Sequence, residues 1–444
     1  MAVRIFHADH VLPGDAPPIA DGAVVVDAEG AIVEVGAAAE VLPRHAGPAP
    51  ERVRGVVFPG LVNAHTHVEL SSMRGKVPGG HGFVPWVDRL VTTRSECSPD
   101  EDAEEIERAV DALAMSATVA VGDVTNSLAA VAALARRGIG GSVFHEVLGM
   151  DRAVVLRRVD GLRAELAERV PTWPGADLAY APAPHTLFTL HPDAARALLE
   201  SAERRGVRTS LHLAEHAAER RAVEHGEGPV PEWFATRFKQ RPEWPKRSLF
   251  DLAAEVGALR PHVILVHLAD ARADELARVA AAGAPVVLCP RSNLYIEGRL
   301  PPLLAVRAAG IEPALGTDSL ASNTSLDVLA EARALADRFP SVPKWELVKM
   351  ATWNGARALG REDLGRLARG ARPGVFCVEG AAPGDPAALL LASRAPRRVL
   401  VARVPRTGAS ADPAGSAWDD PPPAGARAPG APPARAPSAK EESS

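Results

Sequence analysis

Cysteine is scarce in this 444-residue chain, and Cys97, Cys289 and Cys377 are odd in number, far apart and in no Cys-x-x-Cys arrangement. That excludes a disulfide scaffold and a cysteine-ligated zinc finger, and makes a reducing cytosol the expected setting. Lysine is scarce too, six against 44 arginines, but the arginines are scattered, which reads as codon bias. With a net charge of −5 there is no general reason to bind nucleic acid or an anionic membrane. The stretch Met1–Gly14 lacks an apolar h-region, so no secretory signal is expected. The one weakly charged run, Ala112 to Ala135, carries only Asp123 and is interrupted by Gly122, Thr125 and Asn126. It reads as helix, strand, helix in a protein interior, not as a membrane span. A hydrophobic share of 47% and a charged share of 24% are those of an ordinary globular chain. The length allows two to four domains, or one large barrel with an accessory domain.

Short β-rich runs open the chain. Val3–Phe6, Ala23–Asp27, Ala31–Val35 and Val53–Phe58 read as strands, and Asp27 to Gly30 as a hairpin turn. A new rhythm then begins, in which apolar β runs alternate with longer helical segments. The runs are Gly60–His67, Val119–Val124, Gly141–Val147, Leu178–Pro182, Arg208–Leu213, Val263–His267, Ala284–Leu288 and Pro313–Gly316. Pro192–Arg205, Ala273–Ala282 and Leu303–Ala309 are among the helices between them. Eight strands alternating with helices predict an α/β fold with a (β/α)8 TIM-like barrel. A doubly wound open sheet is the alternative, but no G-x-G-x-x-G follows any strand. Trp345–Leu359 reads as a helix, and Gly374–Val378 and Arg398–Val404 as strands that complete the N-terminal sheet. The expected domains are therefore 1–55 and 361–404 as two parts of a small β-sandwich, 56–360 as the barrel, and 405–444 as a Pro/Ala-rich disordered tail.

Chemistry-bearing residues sit at the ends of these runs. His65 and His67 are two apart on the first barrel strand, so both imidazoles face the same side and can reach one metal. His212 ends the fifth strand and can complete a three-imidazole set, with Glu215 one short turn further on as a proton carrier. His267 ends the sixth strand and Asp318 the eighth. Taken singly, each has a plain reading: a polar strand end, a strand-to-helix loop, a satisfied core histidine, a helix N-cap. Together they fall on the C-terminal face of the strands, where a barrel gathers its active site.

In order and spacing, Pro59 to His67, Leu211 to Glu215, His267 and Gly316 to Asp318 resemble the metal motifs of the amidohydrolase superfamily, in its mononuclear deaminase and chlorohydrolase branch. The resemblance spans about Val3 to Val404. It implies His65, His67, His212 and Asp318 as ligands of one divalent metal ion, zinc first and iron as the alternative, with Glu215, His267 and Asp318 catalytic. No lysine lies between Lys76 and Lys239, so the carboxylated-lysine bridge of the common dinuclear members cannot form. A finer resemblance, carried by His67 to Ser71, Phe83 to Trp86, Leu288 to Asn293 and Thr317 to Ser322, is to aminodeoxyfutalosine deaminases of menaquinone biosynthesis. One departure is visible: the Ala-Asp usual after the Pro-Gly-x turn is replaced in Arg372 to Cys377.

What the resemblance implies is a cytoplasmic hydrolase that deaminates a small nucleoside-like substrate, without nucleic-acid or membrane partners; a homodimer is left open as the assembly. Glu69, Trp86, His185 and Arg291 are candidate substrate contacts, Arg291 for a substrate carboxylate. The alternatives are another aminopurine deaminase, acting on S-adenosylhomocysteine, adenosine or guanine; a chlorohydrolase or amide hydrolase using the same site; and an inactive barrel scaffold. The cysteine-ligated zinc deaminases carry H-x-E with P-C-x-x-C, which is missing here. Truncation after Val404 is expected to leave folding and turnover intact, because a Pro/Ala-rich tail buries too little apolar surface to matter. Loss of either would contradict that reading.

Overall fold

The computed structural model describes residues 3–406 except 46, 48, 382 and 383; the expected disordered tail lies, from residue 407, outside the described residues. Four strands open the chain: β1 (Val3–Val11), β2 (Ile19–Asp27), β3 (Ile32–Ala37) and β4 (Glu51–Pro59). The β2–β3 turn is built by Asp27, whose Oδ1 accepts the backbone N–H of Glu29 at 3.0 Å and of Ala31 at 2.8 Å. Gly30 completes it in the left-handed region, φ 80°, where a side chain is disfavoured.

A first parallel sheet follows, made of β5 (Leu61–His67), β6 (Thr118–Thr125), β7 (Gly140–Val147) and β8 (Leu178–Pro184). A second consists of β9 (Thr209–Leu213), β10 (Val263–His267), β11 (Val286–Leu288) and β12 (Ala314–Leu315). All residues of β5, β6, β7, β9 and β10 are buried, the mark of parallel strands covered on both faces. The two sheets meet through the chain itself. Two residues beyond β12, β13 (Asp318–Ser319) pairs with β5, placing Asp318 opposite Thr66. At the other edge Thr209 Oγ1 donates to the Pro182 carbonyl at 2.8 Å, and His212 N–H to the His185 carbonyl at 3.0 Å. This α/β architecture of parallel sheets is consistent with a TIM-like barrel. Gly316 sits at the closing seam, where a Cβ would lie 2.6 Å from His65 Cβ and 2.7 Å from its carbonyl. The strand carrying Asp318 can therefore approach the strand carrying His65 only through glycine.

The C-terminal segment returns to the start. β14 (Val375–Glu379) runs antiparallel to β4, and β15 (Arg398–Val401) to β14, giving a six-stranded sheet in the order β15-β14-β4-β1-β2-β3. Both chain ends build it, as the sequence suggests. It differs from the expected sandwich in pairing: among the described residues the six strands form one sheet, one face of which gathers Phe6, Val24, Val53, Val57, Val375 and Cys377 in a shared cluster. Strand propensity reveals such segments but not which edges they share. Cys377, at the site of the motif departure, is fully buried opposite Val57.

Two other boundaries differ. The helix expected over Trp345–Leu359 is two, Lys344–Met350 and Trp353–Ala358. Thr352 between them has φ −130° and ψ −97°, and its hydroxyl donates to the Val348 carbonyl at 2.8 Å, so the backbone leaves the helical path there. β15 stops at Val401, and beyond it Arg403 turns back to Asp177. No described helix is long and apolar enough to cross a membrane.

Alternation along β4 ties the small sheet to the rest: Val53 and Val57 face the sheet's own cluster, while Val56 and Phe58 face the main core. Phe58 pairs with Phe376 of β14, ring centroids 6.1 Å apart. Phe58→Ala is expected to lower stability by about 3–5 kcal/mol, as truncation of a fully buried phenylalanine does. A loss of unfolding free energy in urea of less than about 1 kcal/mol would show that this contact does not hold the two ends together.

Candidate metal centre and active site

The C-terminal ends of the strands bring five of the candidate residues to one point. His65 and His67, from β5, have ring centroids 5.0 Å apart, and the His212 ring lies 4.9 Å from His65 and 5.4 Å from His67. One ring nitrogen from each of the three falls within 4.8 Å of the others. Asp318 closes the set, its Oδ1 3.8 Å from His65 Nε2 and 3.5 Å from His67 Nε2. His267 is adjacent, 5.5 Å from the His212 ring, and its Nε2 is 3.7 Å from Glu215 Oε1.

The hydrogen bonds decide which way the lone pairs point. His212 Nδ1 lies 3.0 Å from the His185 carbonyl, which can only accept, so this nitrogen carries the proton. Nε2 of the neutral ring then presents a lone pair, 3.3 Å from His67 Nε2. Burial pushes the His212 pKa down to about 4, so the ring stays neutral, and it also lowers those of His65 and His67. Neither nitrogen of His65 has a hydrogen-bond partner among the described residues, although the ring is wholly buried. Buried polar atoms are seldom left so. Three buried imidazoles, one of them without a partner on either nitrogen, and a carboxylate match the donor set of a divalent cation of the zinc or iron type. The carbonyl behind His212 is the outer support such ligands usually have.

Asp318 is held from behind, with Oδ2 accepting from Ser292 Oγ at 2.5 Å and Ser322 Oγ at 2.8 Å, which leaves Oδ1 facing the histidines. Burial would raise its pKa, but the His65 contact and the neighbouring imidazoles outweigh it and hold the carboxyl well below its usual range. Glu215 goes the other way. Burial, then the charges of Asp318, Glu219 and Glu297, push it well above the ordinary carboxylate range, so it keeps a proton. Its neighbour His267 is held neutral, its pKa well below the usual value because of burial. The Asn293 amide N–H reaches His267 Nδ1 at 3.4 Å, leaving the ring proton on Nε2, toward Glu215. Two carboxyl groups and a neutral imidazole at one point, with pKa values driven apart, form an acid–base set. The backbone carries strain here: His267, Asp318 and Ala214 have φ of 77°, 56° and 51°, a region non-glycine residues avoid.

The group opens into a cavity of about 360 Å³ lined by His67, His212, Glu215, His267 and Asp318 and walled by Phe83, Trp86, Phe188, Trp233 and Phe234. Glu69, Trp86 and His185 also line it. Glu69 is spent on the protein: it pairs with Arg94 at 3.1 Å and accepts from Thr125 Oγ1, Asn126 N, and Ser127 N and Oγ. Burial alone would raise its pKa, but Arg94 and these donors lower it. Trp86 donates Nε1–H to the Ala321 carbonyl at 3.3 Å, which fixes the indole in the wall. His185 shares a 2.6 Å hydrogen bond with Thr189, and burial pushes its pKa down to about 4. Arg291 does not belong to the cavity. Its guanidinium turns away to Thr324 and Glu331, so the expected contact with a substrate carboxylate is not seen; an arginine beside a strand end gives no sign in sequence of which way it will turn.

Several lining groups were not singled out by sequence. Arg94 is the cation at the cavity wall, on the helix Phe83–Arg94, with no motif of its own. Glu146 lines the cavity too, and its signal was available: a carboxylate near the end of the third barrel strand, as Asp318 is at the eighth. Ser292 and Ser322, which support Asp318 from behind without lining the cavity, lie inside motifs already quoted, without a role assigned to them.

The profile of the amidohydrolase family matches residues 56–402. The aminodeoxyfutalosine deaminase of Deinococcus radiodurans is 30% identical over 372 residues, 80% of this chain and 86% of that protein. The 5-methylthioadenosine/S-adenosylhomocysteine deaminase of Halobacterium salinarum is 29% identical over 379 residues, 82% of this chain and 81% of that protein. Among solved structures, Helicobacter pylori aminofutalosine deaminase in complex with methylthio-coformycin superposes with a TM-score of 0.80 at 24% identity, covering 90% of this chain and 98% of that one. His65→Ala removes a central donor without opening the surface. Purified variant protein is expected to hold much less than one equivalent of divalent metal by elemental analysis while wild type holds about one. Equal metal content in both would remove His65 from the ligand set.

Proposed function

This chain belongs to the amidohydrolase family, and within it we propose that it is a hydrolytic deaminase of an adenine-type nucleoside, converting aminodeoxyfutalosine to futalosine and ammonia in menaquinone biosynthesis. The observation that carries the reading is the meeting of His65, His67, His212 and Asp318 with Glu215, whose pKa burial raises, at an aromatic-walled cavity. The names of the Deinococcus radiodurans and Helicobacter pylori proteins support the particular substrate. We read the two parallel sheets and their seams as one (β/α)8 barrel over 56–360, flanked by a β domain from 1–55 and 361–404, and the setting as cytoplasmic.

In this reading His65, His67, His212 and Asp318 hold one divalent ion, with zinc first by donor type. Such an ion, when bound, lowers the pKa of water from about 15.7 to about 7, supplying a nucleophile at neutral pH. The residues of the chain do the rest. Asp318, held ionised by its histidine neighbours, takes the proton of the attacking water, and His267 orients that water through Nε2–H. Glu215 gives its proton to the ring nitrogen beside the attacked carbon, so negative charge does not build up there. The carbon becomes tetrahedral, bearing both the new oxygen and the old amine. The proton taken by Asp318 passes to the amine, the carbon–nitrogen bond breaks and ammonia leaves, and the hydroxyl proton returns to Glu215 as the carbonyl forms. Water in, ammonia out, and no oxidant is needed. The phenylalanine and tryptophan side chains of the wall give the purine flat apolar surfaces and limit bulk water.

A second substrate has support of its own. The Halobacterium salinarum relative is named for 5-methylthioadenosine and S-adenosylhomocysteine at almost the same identity. Ammonia release from aminodeoxyfutalosine, 5-methylthioadenosine, S-adenosylhomocysteine, adenosine and guanine decides between them. The highest kcat/KM is expected for aminodeoxyfutalosine, and no ammonia from any of the five would overturn deamination. Glu215→Gln is expected to keep its metal and to lose turnover by about 10²–10⁴-fold, the span of a general acid–base group. Wild-type kcat/KM should fall on the alkaline side, as Glu215, whose pKa is raised, finally loses its proton. Full activity in the glutamine variant would show that the proton is carried elsewhere.

A further inference from the structure

Among the described residues four carboxylates line the cavity, and three are accounted for. Asp318 faces the histidines, Glu215 sits beside His267, and Glu69 is saturated by five donors from the protein. Glu146 is different. It is 4% exposed, one oxygen accepts the Asn126 side-chain amide at 3.2 Å, and the other, Oε1, has no hydrogen-bond partner among the described residues. Two ring nitrogens approach it, His212 Nδ1 at 3.8 Å, whose proton is already given to the His185 carbonyl, and His185 Nε2 at 3.9 Å. Both are beyond hydrogen-bond range. A buried carboxylate oxygen left unpaired costs about 1–3 kcal/mol or more, so its natural complement is a donor brought by the ligand.

Its position indicates which donor. Glu146 lies on the Nδ1 side of His212, while the reacting centre lies on the Nε2 side, facing His67. An adenine-type base has no ring N–H, and its amine is consumed at the reacting centre. The remaining donors of a nucleoside are its sugar hydroxyls. We propose that Glu146 Oε1 accepts a hydrogen bond from a ribose hydroxyl of the substrate, making Glu146 a specificity residue that favours ribonucleosides over dideoxynucleosides and free bases. The inference rests on the nucleoside reading of this site. It also explains why Glu69, the carboxylate that sequence singles out, is the less suited of the two: its oxygens have no capacity left.

The test crosses a substrate deletion with a side-chain deletion. For wild type, kcat/KM for adenosine should exceed that for 2′,3′-dideoxyadenosine by roughly ten- to a hundredfold, the cost of leaving a buried acceptor without its donor. In Glu146→Ala the ratio should shrink toward one, and in the isosteric Glu146→Gln, whose amide oxygen still accepts, it should fall part of the way, with metal content and far-ultraviolet circular dichroism unchanged. Calorimetric dissociation constants for inosine and 2′,3′-dideoxyinosine provide the same ratio without turnover. A ratio that is large in wild type and equally large in both variants, or already near one in wild type, overturns the role of Glu146 and leaves deamination standing. Absence of ammonia from every aminopurine nucleoside, with no inosine binding, sinks the nucleoside reading and this inference with it.

Discussion

Everything at this site depends on imidazole rings being neutral, turned inward and largely withdrawn from bulk solvent. His212 shows how the chain achieves it. The His185 carbonyl takes the Nδ1 proton, so the lone pair of Nε2 has only the centre to face. Burial keeps the ring from protonating, and His67 presents its own Nε2 at 3.3 Å. The natural complement of the His212 lone pair at that point is a proton or a cation. Asp318 adds negative charge to the same point, and the whole cluster is an arrangement that a cation completes.

The carboxylates around it are a study in environment. Asp318 keeps its charge because histidines surround one oxygen and serine hydroxyls the other. Glu215, equally buried but among other carboxylates, holds a proton. Identical side-chain chemistry is thereby divided into a base and an acid, and the division comes from neighbours that are distant in sequence. Glu69 illustrates a third use. Its five donors tie the end of β6, the loop after it and the helix bearing Arg94 to a residue two past His67, so it shapes the wall it belongs to. Asp123 does similar work one strand over, accepting the Val68 N–H at 2.9 Å and fixing the backbone just past His67.

Much of this was legible in sequence because strand ends are local. His65 and His67 share a face by alternation alone, and His212, His267 and Asp318 each follow an apolar run that can be read without knowing its neighbours. The strand boundaries agree closely for the same reason; Val263–His267, for example, is reproduced residue for residue. What was not legible depends on long-range pairing. Nothing in Arg291 says that its guanidinium turns to Thr324, nor in Arg94 that a helix 25 residues after Glu69 brings it to that carboxylate. The single six-stranded sheet is of the same kind, since which edge β4 offers to β14 is settled only when both ends of the chain meet.

The left-handed backbone at His267 and Asp318 has a consequence for altering this protein. Positions of that kind normally invite glycine, which relieves about 1 kcal/mol or more of steric cost and is a standard route to a hardier variant. Here the remedy would delete the imidazole or the carboxylate on which the chemistry is built. Tolerance to heat must therefore be sought in the helical shell and the loops, because the rim of strand ends is committed to staying taut.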